Sequence, residues 1–347
     1  MLAPAERKVA ALQHRFVDSI QTSLREAVID SPSGFFGLLR YHLAWEDAAG
    51  RPTAGDSGKG LRPVLCLTAC DLCGADWHRA LPAAAALELV HNFSLIHDDI
   101  QDGDEVRRGR PTLGSVRGVA PAITAGNAML VIADQALASL TKADVPAETV
   151  LEAAAELTAH YLEMIEGQYL DMAFEEREHV TVEEYLDMIG RKTGALIESA
   201  MYLGALIATG RRETANTFGE CGRKLGLAFQ VRDDFLGVWG HPDETGKPVA
   251  ADIRRKKKTL PMVYMFQQAA EDDRAWLRDA YAGEEVSGTN VERILSLLER
   301  LGAQSYVQGI AEGQASDALT SVAALNLPED AGGKLEAMAE YFVTRQK

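Results

Sequence analysis

The sequence predicts an all-α protein built as a single large antiparallel helical bundle. Three observations predict it. Apolar residues recur at helical spacing along nearly all of the 347 residues, and few segments alternate with the two-residue period of strands. Ala and Leu dominate the apolar content, and both lose little on entering a helix. Hydrophobic residues make up 47% of the chain and aromatics only 7%, so a sizeable, mainly aliphatic core can be buried.

The first helix is expected over about Glu6–Val28 and the second over Gly34–Ala49. The segment Arg51–Gly60 is rich in Gly, Pro, Ser and Thr and reads as a loop. Helices follow over Leu61–Cys73, His78–Gln101, Pro121–Leu140, Ala147–Phe174, Lys192–Thr209 and Thr214–Trp239. Gly240–Lys258 carries two prolines, two glycines and a basic end, and reads as a second loop. Three or four further helices reach about Arg345. No internal repeat or low-complexity linker divides the chain.

The formal net charge is −16. A surface this acidic argues against nucleic acid as the main partner, because phosphate backbones need basic stripes, and against docking on an anionic membrane. Cys66, Cys70 and Cys73 recur at helical spacing in the apolar run LCLTACDLC, with Cys221 far away. A zinc site with His78 is the alternative there, but buried helix thiols are the better reading. So few cysteines imply no disulfide scaffold. The opening residues MLAPAERKVAALQHRF hold no signal-peptide apolar core, and no run approaches the roughly 18 apolar residues of a membrane span. The expectation is a cytoplasmic protein with no integral membrane segment.

Against this background three groups of residues stand out. An apolar helix in LELVHNFSLIHDDIQDGDEVRRGRPT ends in Asp98, Asp99 and Asp102. Positions i and i+4 share a helix face, so Asp98 and Asp102 point the same way, with Asp99 flanking. Carboxylates at a helix C-terminus oppose the macrodipole and repel one another, so a cation should sit among them. Magnesium suits such oxygen ligands and bridges to substrate phosphates. A solvated acidic helix end is the alternative, which the apolar SLIH just before the aspartates makes less attractive. A second apolar helix, LAFQVRDDFLGVWG, delivers Asp233 and Asp234, with Gly237 rather than a carboxylate one turn on. The third group is basic: Lys59 and Arg62; Arg107, Arg108 and Arg110; Lys192 beside Thr193; and Arg254 to Lys258. On so acidic a chain, four basic clusters beside two aspartate clusters indicate a polyanion site, with arginine as a bidentate phosphate donor and lysine as a point charge.

These segments resemble the trans-isoprenyl diphosphate synthases, the polyprenyl synthetase family. The resemblance runs through GKGLRP, HNFSLIHDDIQD followed by RRG, GQYLD, KTG, and QVRDDFLG followed by KKKTLP, in that order and over nearly the whole chain. It implies one isoprenoid-synthase-type domain over 1–347. It also implies a homodimer that condenses isopentenyl diphosphate head to tail with an allylic prenyl diphosphate. Asp98, Asp99 and Asp102 match the first aspartate motif, which holds magnesium against the allylic diphosphate. Asp233 and Asp234 match the second, which completes a set of three ions when diphosphate is bound. Arg107, Lys192 and Lys257 match residues that contact the allylic diphosphate. Lys59, Arg62, His91 and Arg108 match the isopentenyl diphosphate site, and Gln168, Asp171, Thr193 and Gln230 match polar positions around the reaction centre. A core histidine is the alternative for His91, but it lies seven residues before Asp98, on nearly the same helix face.

The sequence departs from the family pattern in three places. Gly237 replaces the third aspartate of the second motif. Asn127 stands where an aspartate often follows glycine. Lys256 replaces a common glycine, which would stiffen that loop. In the family, bulk at the fourth and fifth positions before the first aspartate shortens the product. Those positions here are Ser94 and Phe93, with Val90 a further turn down. One small and one large residue resemble a geranylgeranyl diphosphate synthase, with farnesyl diphosphate as the alternative product. Two other readings compete. A terpene cyclase of the same fold would not need the isopentenyl cluster, and would carry an Asn/Asp–Ser/Thr–Glu motif that DDFLGVWGH lacks. A non-catalytic subunit of a heteromeric synthase would lose aspartates or basic residues, and only Gly237 points that way.

Overall fold

The computed structural model describes the chain except residues 1–3, 29–33, 54–57, 59, 243–248, 284–285, 326, 329 and 347. The fold is all-α. Helix α1 (Pro4–Ala27) is followed by α2 (Gly34–His42), α3 (Leu61–Leu72) and α4 (Leu81–Gln101). A small hairpin, β1 (Val106–Arg107) and β2 (Arg110–Pro111), leads into α5 (Leu113–Arg117) and α6 (Val119–Ala138). The long α7 (Ala147–Glu176) precedes α8 (Val182–Ile189), a π turn at Gly190–Gly194, α9 (Ala195–Thr209) and α10 (Arg212–Trp239). The chain continues through α11 (Ala251–Arg254), α12 (Leu260–Gln268), α13 (Glu271–Ala282), α14 (Gly288–Arg300), α15 (Ala303–Val322) and α16 (Ala331–Thr344).

The main core lies where α4 packs on α6, α9 on α3 and α10, and α10 on α15. A smaller core gathers Val238, Ile253, Met265, Leu277, Ile294 and Leu298, mainly from α11 to α14. Local chemistry sets several boundaries. Thr181 and Glu184 form a reciprocal capping box that opens α8. Gly210, at a φ of 63°, closes α9 in the left-handed conformation favoured just past a helix end.

Three expectations need correction. The second helix stops at His42 instead of Ala49, because Ala44 takes a φ of 59° and the amides of Trp45 and Glu46 turn back onto the Arg40 carbonyl. A helix, α8, and a π turn occupy the segment before Ala195, where a helix was expected to start only at Lys192. Strand structure is minimal, as expected for an all-α fold, and the hairpin carries it. Its two turn residues, Arg108 and Gly109, have φ of 51° and 72°, as a tight primed turn requires. Finally, one helical stretch, Val119–Ala143, does reach the length and composition of a membrane span, its most apolar 18 residues having a mean hydropathy of 1.3. It packs on α4 in the bundle, and 44% of those 18 residues are buried.

The cysteines of α3 lie in its packed body. Cys66 and Cys70 are buried with free thiols, and burial pushes Cys70 up to about 12. The His78 ring turns away to Asp76, with Nδ1 2.6 Å from the carboxylate.

Candidate active site

The C-terminal ends of α4 and α7, the π turn and the C-terminal half of α10 border a cavity of about 780 Å³. Asp98, Asp102, Asp171, Lys192, Thr193, Gln230, Asp233, Asp234 and Lys257 all line it. Residues up to 159 positions apart in the chain, Asp98 and Lys257, therefore converge on one space.

The acidic and basic walls of the cavity pair with each other. Lys192 Nζ lies 2.5 Å from Asp171 and 3.4 Å from Asp98. Arg107 donates to Asp99 through Nε at 2.5 Å and to Asp98 through Nη2 at 3.3 Å. Burial, and then the neighbouring Asp98 charge, push the Asp102 carboxyl up to about 6. Burial also raises Asp99, against the pull of Arg107. Burial at this helix end thus disfavours the charged form of both carboxylates. Among the described residues no three carboxylate, imidazole or thiolate groups converge tightly enough to enclose an ion unaided.

The second aspartate pair divides by direction. Asp233 is half exposed and accepts from Arg345 Nη2 at 2.9 Å. Asp234 is buried. Its Oδ1 accepts from Gln230 Nε2 at 3.0 Å, and its Oδ2 from the Tyr185 hydroxyl at 2.7 Å and the Leu260 amide at 3.1 Å. Burial pushes it up to about 7. The pair expected to hold metal together is therefore unequal: Asp233 faces the cavity with an exchangeable partner, whereas Asp234 ties α8, α10 and α12 together. Gln230 also accepts from the Thr193 hydroxyl at 2.9 Å, which continues this network onto the π turn.

That turn is held on two sides. A β-carbon built on Gly167 of α7 would lie 2.2 Å from the Lys192 amide nitrogen, so only glycine permits this approach. Arg223 on α10 donates to the Gly190 carbonyl at 2.6 Å, and its other nitrogens bind Glu198 and Glu163. Lys192 and Thr193 are aimed into the cavity from a braced backbone.

The hairpin carries the remaining arginines to a second location. Arg107 turns to the aspartates, while its neighbour Arg108 reaches the opposite way, over Gly58; a β-carbon there would meet the guanidinium at 2.5 Å. Arg62, Arg107, Arg108 and His42 act together on His91. Burial and then Arg62 hold His91 well below its ordinary value, so it is a neutral hydrogen-bonding group at pH 7. Burial, followed by Arg107 and Arg108, brings His42 down to about 3. Burial lowers Arg62 to about 10, and Arg62 stays charged beside Glu88. Lys59 lies outside the described residues.

Other expected residues take more varied places. Gln168 donates to Gln101 at 3.0 Å and does not line the cavity. Val90 is buried in α4. Ser94 Oγ donates to the His91 carbonyl at 2.8 Å. The Phe93 ring meets His97 edge-on at 4.8 Å, and the His97 ring rests against Gly126 of α6. Lys256 adopts a φ of 56°, left-handed geometry that a glycine would take without strain, and donates to the Tyr281 carbonyl at 3.0 Å. Lys258 donates to the carbonyls of Phe174, Glu175 and Arg177, and so caps the end of α7. Sequence reasoning missed Tyr185, Asp252 and Arg345, which reach the site only through tertiary packing.

Residues 45–298 match the polyprenyl synthetase family. The (2E,6E)-farnesyl diphosphate synthase of Mycobacterium tuberculosis is 39% identical over 312 residues, 89% of this chain and 86% of that protein. The geranylgeranyl diphosphate synthase of the same organism is 36% identical over 322 residues, 93% of this chain and 88% of that one. Among solved structures, the polyprenyl synthetase of Streptomyces coelicolor superposes with a TM-score of 0.90 at 36% identity, covering 97% of this chain and 100% of that chain. The geranylgeranyl pyrophosphate synthetase of Pyrococcus horikoshii gives 0.87 at 33% identity, covering 98% and 99%. With sequence, fold and clustered motif residues in agreement, the chain belongs to the polyprenyl synthetase family, the trans-prenyl diphosphate synthases.

Proposed function

We propose that this prenyltransferase condenses isopentenyl diphosphate with allylic diphosphates to give all-trans geranylgeranyl diphosphate, with magnesium and as a homodimer. The observation that carries the product length is the side chain beneath Asp98. Ser94 lies one turn below it on the same face, about 6 Å down the helix. It is small, and its hydroxyl is satisfied by the His91 carbonyl. Phe93 points instead towards α6 through its contact with His97. The α4 wall thus presents no aromatic floor directly under the diphosphate end, which favours the longer product over farnesyl diphosphate.

The donor set fits magnesium. Asp98 and Asp102 on α4 and Asp233 on α10 line one cavity, all are hard oxygen ligands, and burial followed by the neighbouring Asp98 charge raises Asp102, a cost that a bound divalent cation would offset. Because no three such groups among the described residues converge on an ion, substrate phosphate oxygens and water would complete each coordination shell. When bound, magnesium supplies charge neutralisation for the departing diphosphate. Lys192 and Lys257 add positive charge around the same leaving group. Arg62 and Arg108 hold the second diphosphate, with neutral His91 beside them. The isopentenyl double bond then attacks the allylic cation, a carbon–carbon bond forms, and the released proton goes to the departing diphosphate. Met188, Ile189 and Leu236 in the wall limit access of water to the cation. The Arg62–Arg108–His91 cluster favours this two-substrate reading over a cyclase.

The second copy would cover α6 and α7. Leu151, Leu162, Ile165 and Tyr169 are exposed and form one stripe along α7, beside exposed Val119, Ile123 and Val131 on α6.

A matched pair of substitutions tests the product. Ser94→Phe should move the products towards farnesyl diphosphate. Phe93→Ala should lengthen them by less, because that ring faces α6. An unchanged length distribution in Ser94→Phe would place the floor of the channel on another helix.

A further inference from the structure

The second aspartate motif ends in a glycine, and the fold brings another carboxylate into the space left open. Asp233 and Gly237 are one helical turn apart and share a face of α10. A side chain at position 237 has no room. A β-carbon built on Gly237 would lie 1.8 Å from Oδ2 of Asp252, 2.5 Å from its Cγ and 3.2 Å from its Oδ1. Asp252 belongs to α11, which packs against α10. Its carboxylate therefore occupies the volume of the missing residue, and it lines the same cavity as Asp233, Asp98 and Asp102. Asp234 is not available for this role, because both its oxygens accept hydrogen bonds that hold α8 and α12 in place. Asp252 also interacts with other groups in this structure, as Asp98 and Asp233 do, so ion binding exchanges one partner for another.

We infer that Asp252 supplies the third carboxylate of the second metal wall, in the place Gly237 vacates, and acts with Asp233 on the same magnesium ion, directly or through a coordinated water. This rests on the magnesium-dependent reading given above. A carboxylate borne on α11 also differs from one fixed on α10. Its position depends on the packing of α11 on α10, which would couple metal binding to the position of the basic run Arg254–Lys258.

Calorimetric titration of inorganic pyrophosphate at a series of magnesium concentrations reads this without turnover. Four proteins are compared: wild type, Asp252→Asn, Asp252→Ala, and Asp252→Ala combined with Gly237→Asp. Thermal melts confirm that each is folded. Both single variants should need about tenfold more magnesium for half-maximal pyrophosphate binding. The double variant, with its carboxylate back on α10 and the clash removed, should return most of the way to wild type. A wild-type magnesium midpoint in Asp252→Asn overturns the inference, and so does a double variant no better than Asp252→Ala. Magnesium-independent pyrophosphate binding by the wild-type protein would overturn the metal reading itself, a distinct result.

Discussion

Asp233 and Asp234 are neighbours in the chain, yet they face different surroundings. Asp233 is half exposed on the cavity wall, whereas Asp234 accepts three hydrogen bonds in the interior. Asp233→Ala should cut turnover on the order of a hundredfold or more while leaving the melting temperature close to wild type. Asp234→Ala strands the Tyr185 hydroxyl and the Leu260 amide, so it should cost about 2–3 kcal/mol of stability and several degrees in melting temperature. Paired kinetics and calorimetry on the two variants check this division. The sequence showed both aspartates but not their directions, because two of the three groups that hold Asp234 come from 49 and 26 positions away. Asp98 and Asp102 were easier to read, since one helical turn relates them. Arg345, 112 positions from Asp233, left no signal in local spacing.

Among the elements, the π turn is the one that periodicity could not reveal. Its residues, GRKTG, are compatible with a continuing helix; the distortion is imposed by close contact with Gly167 and by Arg223 on the Gly190 carbonyl. Gly167→Ala pushes a β-carbon into the Lys192 backbone. It should lower kcat by about ten- to a hundredfold through misplacement of Lys192 and Thr193, with a loss of about 1–3 kcal/mol in stability from overpacking. Steady-state kinetics beside a thermal melt separates the two effects. Arg223 also reaches a pH-sensitive pair. Burial alone would lower His160, but Glu198 and the Glu156 carbonyl overcome it and raise it above 6.5. Burial would raise Glu198, but His160 and Arg223 bring it below 4.5. A raised histidine stabilises the fold below its ordinary value and loses that contribution as pH rises through the raised one. A lowered carboxylate stabilises above its ordinary value and loses that contribution as pH falls. The pair therefore contributes most between these limits, near pH 5 to 6. His160→Gln should cost on the order of 1 kcal/mol there and much less at pH 9. Denaturant melts of both proteins at the two pH values measure the difference.

At the scale of the whole molecule, the all-α bundle was legible because Ala- and Leu-rich helical periodicity persists through most of the chain. What stayed hidden was relational: which faces of α4, α7 and α10 meet, and that Asp252 comes to rest on Gly237. The proposed activity is that this bundle binds two diphosphates and joins their prenyl groups into a twenty-carbon chain. The most direct measurement incubates the purified protein with magnesium, isopentenyl diphosphate and each allylic primer in turn, and sizes the products by mass spectrometry. The predicted result is magnesium-dependent elongation by the protein alone, with geranylgeranyl diphosphate as the main end product. Farnesyl diphosphate as the end product would contradict the assigned chain length, and cyclised terpenes or no elongation with any primer would contradict the claim itself.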